Sequence, residues 1–137
     1  YFSTVGCVAL DAKGNIAAGT STGGMTGKRF GRIGDSPIIG AGTYADNRTA
    51  GIYCTGHGEY FIRHAVAHDI SARIAYKKES LAKAARDVVQ TVLKQAGGSG
   101  GIIGLDAQGN VVMEFNTNAM TRGSIGPDGI LKTAIFK

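Results

Sequence analysis

Proline and cysteine are scarce in this chain, with two of each in 137 residues. So little proline beside 22 glycines excludes a Pro/Gly low-complexity polymer. Neither Cys7 nor Cys54 belongs to a CxxC or Cys/His metal spacing, so no metal site is expected on them. Both lie at the apolar ends of strand-like segments and read as small core residues. Such cysteine usage fits a reducing compartment, hence a cytoplasmic location. No apolar run approaches the ~20 residues of a membrane-spanning helix, so no membrane partner is expected. The net charge is only +5, from 15 basic and 10 acidic residues. The basic residues are scattered, and the densest group, Lys28, Arg29 and Arg32, has no aromatic interleaving beyond Phe30. That permits an anionic substrate and gives no footprint for nucleic acid.

What is present is one domain's worth of chain with 43% hydrophobic residues, enough to bury a core. It opens at Tyr1 rather than Met, and Tyr1-Phe2-Ser3 is not a signal peptide. A fragment, a processed product and one subunit of a larger assembly all remain open.

Val5 to Leu10 reads as a strand apolar on both faces. Asp11-Ala12-Lys13-Gly14-Asn15 is a turn, and Ile16 to Thr20 returns as a second strand. Ser21 to Asp35 reads as a long loop with five glycines. Ile38-Ile39 and Ala50 to Cys54 read as short strands. From Glu59 the period becomes helical, with Ile62, Val66, Ile70 and Ile74 on one stripe. Ser80 is an expected N-cap for a second helix, striped by Leu81, Ala84, Ala85, Val88, Val89 and Val92 and stopped at Gly97-Gly98. Ile102 to Leu105 and Val111 to Phe115 form a hairpin through Asp106-Ala107-Gln108-Gly109-Asn110, nearly a copy of the first turn. Leu131 to Phe136 is a last strand. The order strands, two helices, strands predicts an α+β fold whose sheet has helices on one face. Its other face needs a second sheet or another chain.

Several segments invite functional readings. Gly23 to Lys28 fails as a phosphate loop, because Thr22 stands where a glycine belongs and Arg29 where Ser or Thr belongs. Gly97 to Gly101 lies at a helix C-terminus, the wrong end for an anion. His64 and His68 have the spacing of two helical metal ligands but lack a third and read as a solvated face. Thr55-Gly56-His57-Gly58-Glu59 falls where a strand meets a helix. It fits either an oxyanion hole or a simple turn capped by Thr55 or His57. Arg32 and Asp35 fit either a clamp for a zwitterion or a surface ion pair.

Taken together, these segments resemble one family. Thr4-Val5-Gly6-Cys7-Val8-Ala9-Leu10-Asp11, Thr20-Ser21-Thr22-Gly23-Gly24, Gly31-Arg32-Ile33-Gly34-Asp35-Ser36-Pro37 and Thr55 to Glu59 resemble, in order, the β subunit of plant-type (type 2) L-asparaginases/isoaspartyl peptidases. These are N-terminal-nucleophile hydrolases. Gly98 to Gly101 and Phe115-Asn116-Thr117 continue the likeness, which runs to about Phe136. The resemblance implies that 1–137 is the β-subunit part of an αββα sandwich, partnered by an α subunit from the same precursor in an (αβ)2 assembly. It implies hydrolysis of β-aspartyl dipeptides and L-asparagine through a β-aspartyl-enzyme ester, with no cofactor and no metal. Thr4 is the implied nucleophile, with its own α-amine as base, and Thr22 hydrogen-bonds beside it. Thr55 and Gly56 hold the oxyanion. Arg32 takes the substrate α-carboxylate, and Asp35 takes the α-ammonium, assisted by the Gly58 carbonyl. Residues 1–3 lie upstream of the implied cleavage point, with Ser3 where the family commonly carries glycine. With Ser3 attached, Thr4 has an amide nitrogen and no base. An aspartylglucosaminidase-like amidase and an uncleaved structural family member are the alternatives.

Overall fold

The computed structural model describes residues 2–137; Tyr1 and the side chains of Phe2 and Ser3 lie outside the described residues. The expected upstream segment 1–3 is therefore described only as backbone, from Phe2 onward. Strands β1 (Phe2–Leu10) and β2 (Ile16–Met25) form an antiparallel hairpin. Its turn is organised by one carboxylate. Asp11 Oδ1 accepts the N–H groups of Lys13 and Asn15, both at 2.8 Å, and Oδ2 accepts Asn15 Nδ2 at 2.8 Å. The copied pentapeptide folds the same way. Asp106 Oδ1 accepts Gln108 and Asn110 N–H at 3.0 and 2.9 Å, and Oδ2 accepts Asn110 Nδ2 at 2.9 Å. Gly14 and Gly109 take φ of +84° and +83°, a conformation that disfavours any side chain.

β3 (Thr43–Ala45), β4 (Ala50–Gly56), β5 (Gly100–Asp106) and β6 (Val111–Phe115) make one antiparallel sheet in that order. β7 (Ala119–Ile125) and β8 (Leu131–Phe136) form a separate hairpin. Helices α1 (Gly58–Arg63), α2 (Val66–Lys77) and α3 (Leu81–Arg86) contact the four-stranded sheet, together with a π-helical stretch, Asp87–Leu93, that continues α3. Ser80 caps α3 as expected, its hydroxyl accepting Lys83 N–H at 3.2 Å. The main core lies in this helix layer. Ile52 and Cys54 of β4 and Ile102 of β5 pack with Phe61, Ile70, Val88 and Leu93, all fully buried. The β1–β2 hairpin packs against the same sheet, supplying the second sheet that the helix count called for. The chain is thus α+β, with antiparallel sheets and a helical cover consistent with an αββα sandwich.

Besides β3 and β7, which the sequence reading did not contain, four details depart from it. First, β1 is not buried on both faces. Val8 and Leu10 are partly buried, while Val5 (67% exposed), Cys7 and Ala9 point away from the neighbouring sheet. Cys7 is therefore not a core residue, whereas Cys54 is. Second, β2 runs to Met25, because Val5 and Thr4 pair with Ser21 and Thr22 and draw the start of the expected loop into the sheet. Third, Ile38-Ile39 is not a strand. Ile38 N–H turns back to the Asp35 carbonyl at 2.9 Å, and Ile39 makes a single bridge to Thr43. Fourth, the stripe from Ile62 to Ile74 is carried by two helices, broken at Ala65 in a left-handed conformation (φ +45°). The Ala67 and His68 N–H groups at the start of α2 bond the Ala41 and Gly40 carbonyls at 3.2 and 2.9 Å, so a loop replaces the preceding turn of helix.

Candidate active site

Thr4 on β1 and Thr22 on β2 are register partners, and their Oγ1 atoms are 3.0 Å apart. A register irregularity lies between Phe2 and Thr4, just before this pair. Thr22 Oγ1 also accepts Gly24 N–H at 2.9 Å. The Thr4 carbonyl accepts the Tyr53 hydroxyl at 2.8 Å. Tyr53, on β4, is 5% exposed. Its ring can lie under β1 only because Gly6 has no side chain, since a Cβ there would collide with the ring. Burial raises the Tyr53 phenol above its ordinary range, with a hydrogen bond to the Thr55 side chain pulling the other way. The phenol thus stays a neutral donor to Thr4.

Arg32 does not pair with Asp35. Its fork closes on Glu59, Nε to Oε1 at 3.0 Å and Nη2 to Oε2 at 3.2 Å, and that hydrogen bonding holds the Glu59 carboxyl below its usual range. Asp35 is buried (6% exposed), and desolvation raises its carboxyl above the ordinary value. The Arg32 charge and backbone N–H bonds partly offset the rise. Its Oδ2 is buried without a hydrogen-bond partner among the described residues. Gly58 is the surface on which both charges rest. A Cβ there would stand 2.7 Å from Asp35 Oδ1, 2.9 Å from Asp35 N and 3.3 Å from Arg32 Nη2.

Where β4 ends, Gly56 (φ +145°) and Gly100 are in register, each leaving room for the other's backbone, with the Phe61 ring beneath both. Asn116 fixes this approach. Its Oδ1 accepts Gly100 N–H at 2.9 Å, and its Nδ2 donates to the Gly98 carbonyl at 3.0 Å and the Val89 carbonyl, in the π-helical stretch, at 3.3 Å. His57 stands at the N-cap of α1, but its side chain makes no capping bond there.

Thr4, Thr22, Arg32, Asp35 and Gly56 line one open cavity of about 410 Å³, within the usual range of small-ligand sites. Thr55 and Gly58 do not line it. Thr55 is partly buried and directly precedes the lining residue Gly56 on β4, and Gly58 backs the Asp35 carboxylate. Sequence reading missed the contacts of Tyr53, Glu59 and Asn116. Glu59 and Asn116 sit inside motifs that were read. Tyr53 gave no signal, because its partner lies 49 positions away. His68 packs edge-on against Tyr44 with ring centroids 5.4 Å apart. Among the described residues no three His, Cys, Asp or Glu side chains converge to hold a metal, and no helix is long and apolar enough to cross a membrane.

Antiparallel sheets under a helical layer, with paired threonines, an arginine and a buried aspartate on one cavity, are the α+β architecture of an N-terminal-nucleophile hydrolase sandwich. The chain belongs to the asparaginase family, whose model matches residues 1–135. Over 119 residues it is 56% identical to an isoaspartyl peptidase of Escherichia coli (strain K12), covering 87% of this chain and 37% of the relative. Over 134 residues it is 48% identical to a probable isoaspartyl peptidase/L-asparaginase of Arabidopsis thaliana, covering 98% of this chain and 40% of the relative. The mouse isoaspartyl peptidase/L-asparaginase is 42% identical over 119 residues, 36% of its length. The chain thus spans well under half the length of these relatives.

Proposed function

We propose that this chain is the catalytic β subunit of a threonine amidohydrolase that cleaves β-aspartyl dipeptides and L-asparagine. The observation that carries the reading is Asp35. A buried, unpartnered carboxylate oxygen on a cavity wall is costly unless something cationic completes it, and a substrate α-ammonium does so. Arg32, pre-set by Glu59, receives the neighbouring α-carboxylate, with the Gly58 carbonyl as a further acceptor for the ammonium.

The nucleophile is Thr4. Its hydroxyl first attacks the Ser3 carbonyl carbon. The peptide nitrogen departs as the Thr4 α-amine, and water opens the resulting ester, leaving Ser3 as a carboxylate. The freed amine has a reference pKa of about 7.7–8.0 and serves as the base of later turnovers. The amine then takes the Oγ1 proton as Oγ1 attacks the substrate β-carbonyl. Thr55 and Gly56 stabilise the oxyanion, and Thr22 steadies the Thr4 hydroxyl. Collapse expels ammonia or an amino acid carrying that proton. Water, deprotonated by the same amine, hydrolyses the β-aspartyl ester and releases aspartate.

The outward face of β1 (Val5, Cys7, Ala9) and the exposed Ile125, Leu131 and Phe136 of β7–β8 support an α subunit from the same precursor as partner, in an (αβ)2 assembly. The buried free thiol of Cys54 and the exposed one of Cys7 fit a cytoplasmic location.

The test is mass spectrometry of the active protein with turnover of β-Asp-Leu. A chain starting at Thr4 is expected, with both processing and turnover lost in Thr4→Ala. Normal turnover by a homogeneous preparation retaining Ser3 overturns the mechanism.

A further inference from the structure

The cavity holds a second cation that the charges assigned so far do not use. Lys28 lines it, and the side chain bends back over Gly24. The place where a Gly24 Cβ would stand is 2.9 Å from Lys28 Nζ and 3.5 Å from Arg32 Nη1. Two cations therefore flank one point on the cavity wall. They differ in what already neutralises them. Arg32 is forked on Glu59, while the Lys28 ammonium makes no ion pair or hydrogen bond among the described residues. Gly24 is itself tied to the reactive threonines, its N–H donating to Thr22 Oγ1 at 2.9 Å, and Thr22 Oγ1 lies 3.0 Å from Thr4 Oγ1. Lys28 thus stands on the Thr22 side of the nucleophile, whereas Asp35 rests against Gly58 at the start of α1.

Substrate charge decides what such a cation is for. Asparagine carries one carboxylate and one ammonium, which Arg32 and Asp35 satisfy. A β-aspartyl dipeptide carries a second carboxylate, on the residue that leaves. Its carboxyl carbon lies three bonds from the attacked carbonyl carbon, at most about 3.7 Å away by standard bond lengths, with its oxygens up to about 4–5 Å away. With Arg32 offset by Glu59, the site without Lys28 has a net charge of −1 and would meet a dipeptide of the same sign. With Lys28 it is neutral.

Resting on the β-aspartyl reading above, we infer that Lys28 forms a leaving-group subsite that binds the C-terminal carboxylate of β-aspartyl dipeptides. It thereby favours dipeptides over asparagine and over peptides whose next residue is amidated or extended.

The experiment measures kcat/KM of the assembled, processed enzyme for β-Asp-Leu, β-Asp-Leu-amide and L-asparagine, in wild type, Lys28→Met, Lys28→Arg and Arg29→Gln. Lys28→Met is expected to lose about 10- to 100-fold on β-Asp-Leu, the range of a charge-assisted hydrogen bond, and to change less than about 2-fold on the other two. Lys28→Arg should retain most of the dipeptide activity. Arg29, the adjacent cation outside the cavity lining, should tolerate replacement on all three substrates. Equal losses on all three substrates in Lys28→Met would place Lys28 on the α-carboxylate or in the scaffold and overturn the inference. So would an unchanged dipeptide rate, or a matching loss in Arg29→Gln. A wild-type enzyme that hydrolyses none of the three would instead sink the β-aspartyl reading itself.

Discussion

Replacing Gly58 by alanine separates the clamp from the scaffold. On propensity alone the change helps, because alanine in a helix is favoured over glycine by up to about 1 kcal/mol, and Gly58 opens α1. Its φ lies outside the left-handed region, so no backbone strain opposes the new residue. Space does oppose it. Ordinary contact with a Cβ begins near 3.4 Å, while the alanine methyl would stand 2.7 Å from Asp35 Oδ1 and 2.9 Å from Asp35 N. The carboxylate oxygen must retreat by about 0.7 Å and the backbone nitrogen by about 0.5 Å in a close-packed wall. Rotating the carboxylate away relieves the first clash but not the second. Arg32 Nη2, at 3.3 Å, is pressed from the same point. Overpacking costs roughly 1–3 kcal/mol, and the helix gain offsets part of it, so the variant should fold with a net loss of about 1–2 kcal/mol. A shift approaching 1 Å in a substrate-positioning group costs up to about 100-fold. KM for β-aspartyl substrates should therefore rise about 10- to 100-fold, with kcat within about 3-fold, because the clamp holds ground state and transition state alike. Steady-state kinetics on folded Gly58→Ala, with a urea titration alongside, checks both figures. A wild-type KM in the folded variant would refute the claim that Gly58 is the backing of the clamp.

Asp35→Asn should raise thermal stability at neutral pH while abolishing binding of the ammonium. A carboxyl raised in the fold opposes folding once ionised, so stability is lost as pH rises through its unfolded and then its folded pKa. The variant's advantage should vanish in acid, as paired melting curves across pH would reveal. In wild type the same titration should raise KM as pH falls through the raised Asp35 pKa. Tyr53→Phe should cost about 1 kcal/mol in a denaturant titration and roughly 10-fold in kcat with KM nearly unchanged, because the 2.8 Å bond to the Thr4 carbonyl steadies the nucleophile rather than the substrate. A proportional rise in KM would argue that Tyr53 shapes the substrate cavity instead.

Local chemistry was legible in the sequence, and distant chemistry was not. The two Asp-x-x-Gly-Asn turns, the Ser80 cap and the stripe around Val88 are each decided within a few residues, and each forms as read; the stripe around Val66 is buried as read but carried by two helices. The need for a second sheet also followed, because two helices cover only one face. Apart from β7, an unassigned strand that pairs locally with β8, the failures are tertiary. Whether β1 is buried on one face or two depends on what covers Val5 and Cys7, and their apolar character does not say. The break at Ala65 depends on carbonyls of Gly40 and Ala41, more than twenty positions upstream. At the site, Thr4, Thr22, Arg32, Asp35 and Gly56 were placed together by resemblance and do share a cavity. No sequence spacing shows that Arg32 turns from Asp35, three residues away, to Glu59, 27 positions on.

On the proposed function, that choice of partner lets the two charges serve one substrate. Had Arg32 closed on Asp35, each would have been satisfied before substrate arrived, and binding would have had to break a desolvated ion pair. Glu59, with its side chain 46% exposed, remains hydrated while it fixes the guanidinium through two of its nitrogens. Asp35 is thereby left with one buried oxygen that nothing in the described chain completes. The arrangement keeps the arginine rigid and the aspartate unfulfilled, so the desolvation cost of the carboxylate is met in the folded state before binding. A substrate ammonium bound as proposed would gain a hydrogen-bonded partner already stripped of water, and the rigid guanidinium would add its contact without ordering a flexible side chain. Glu59 acts as a positioning residue through Arg32, and its spacing to Gly58 is part of the same device. The glycine gives the two charges a surface to rest on, and the next residue decides which of them is already paired.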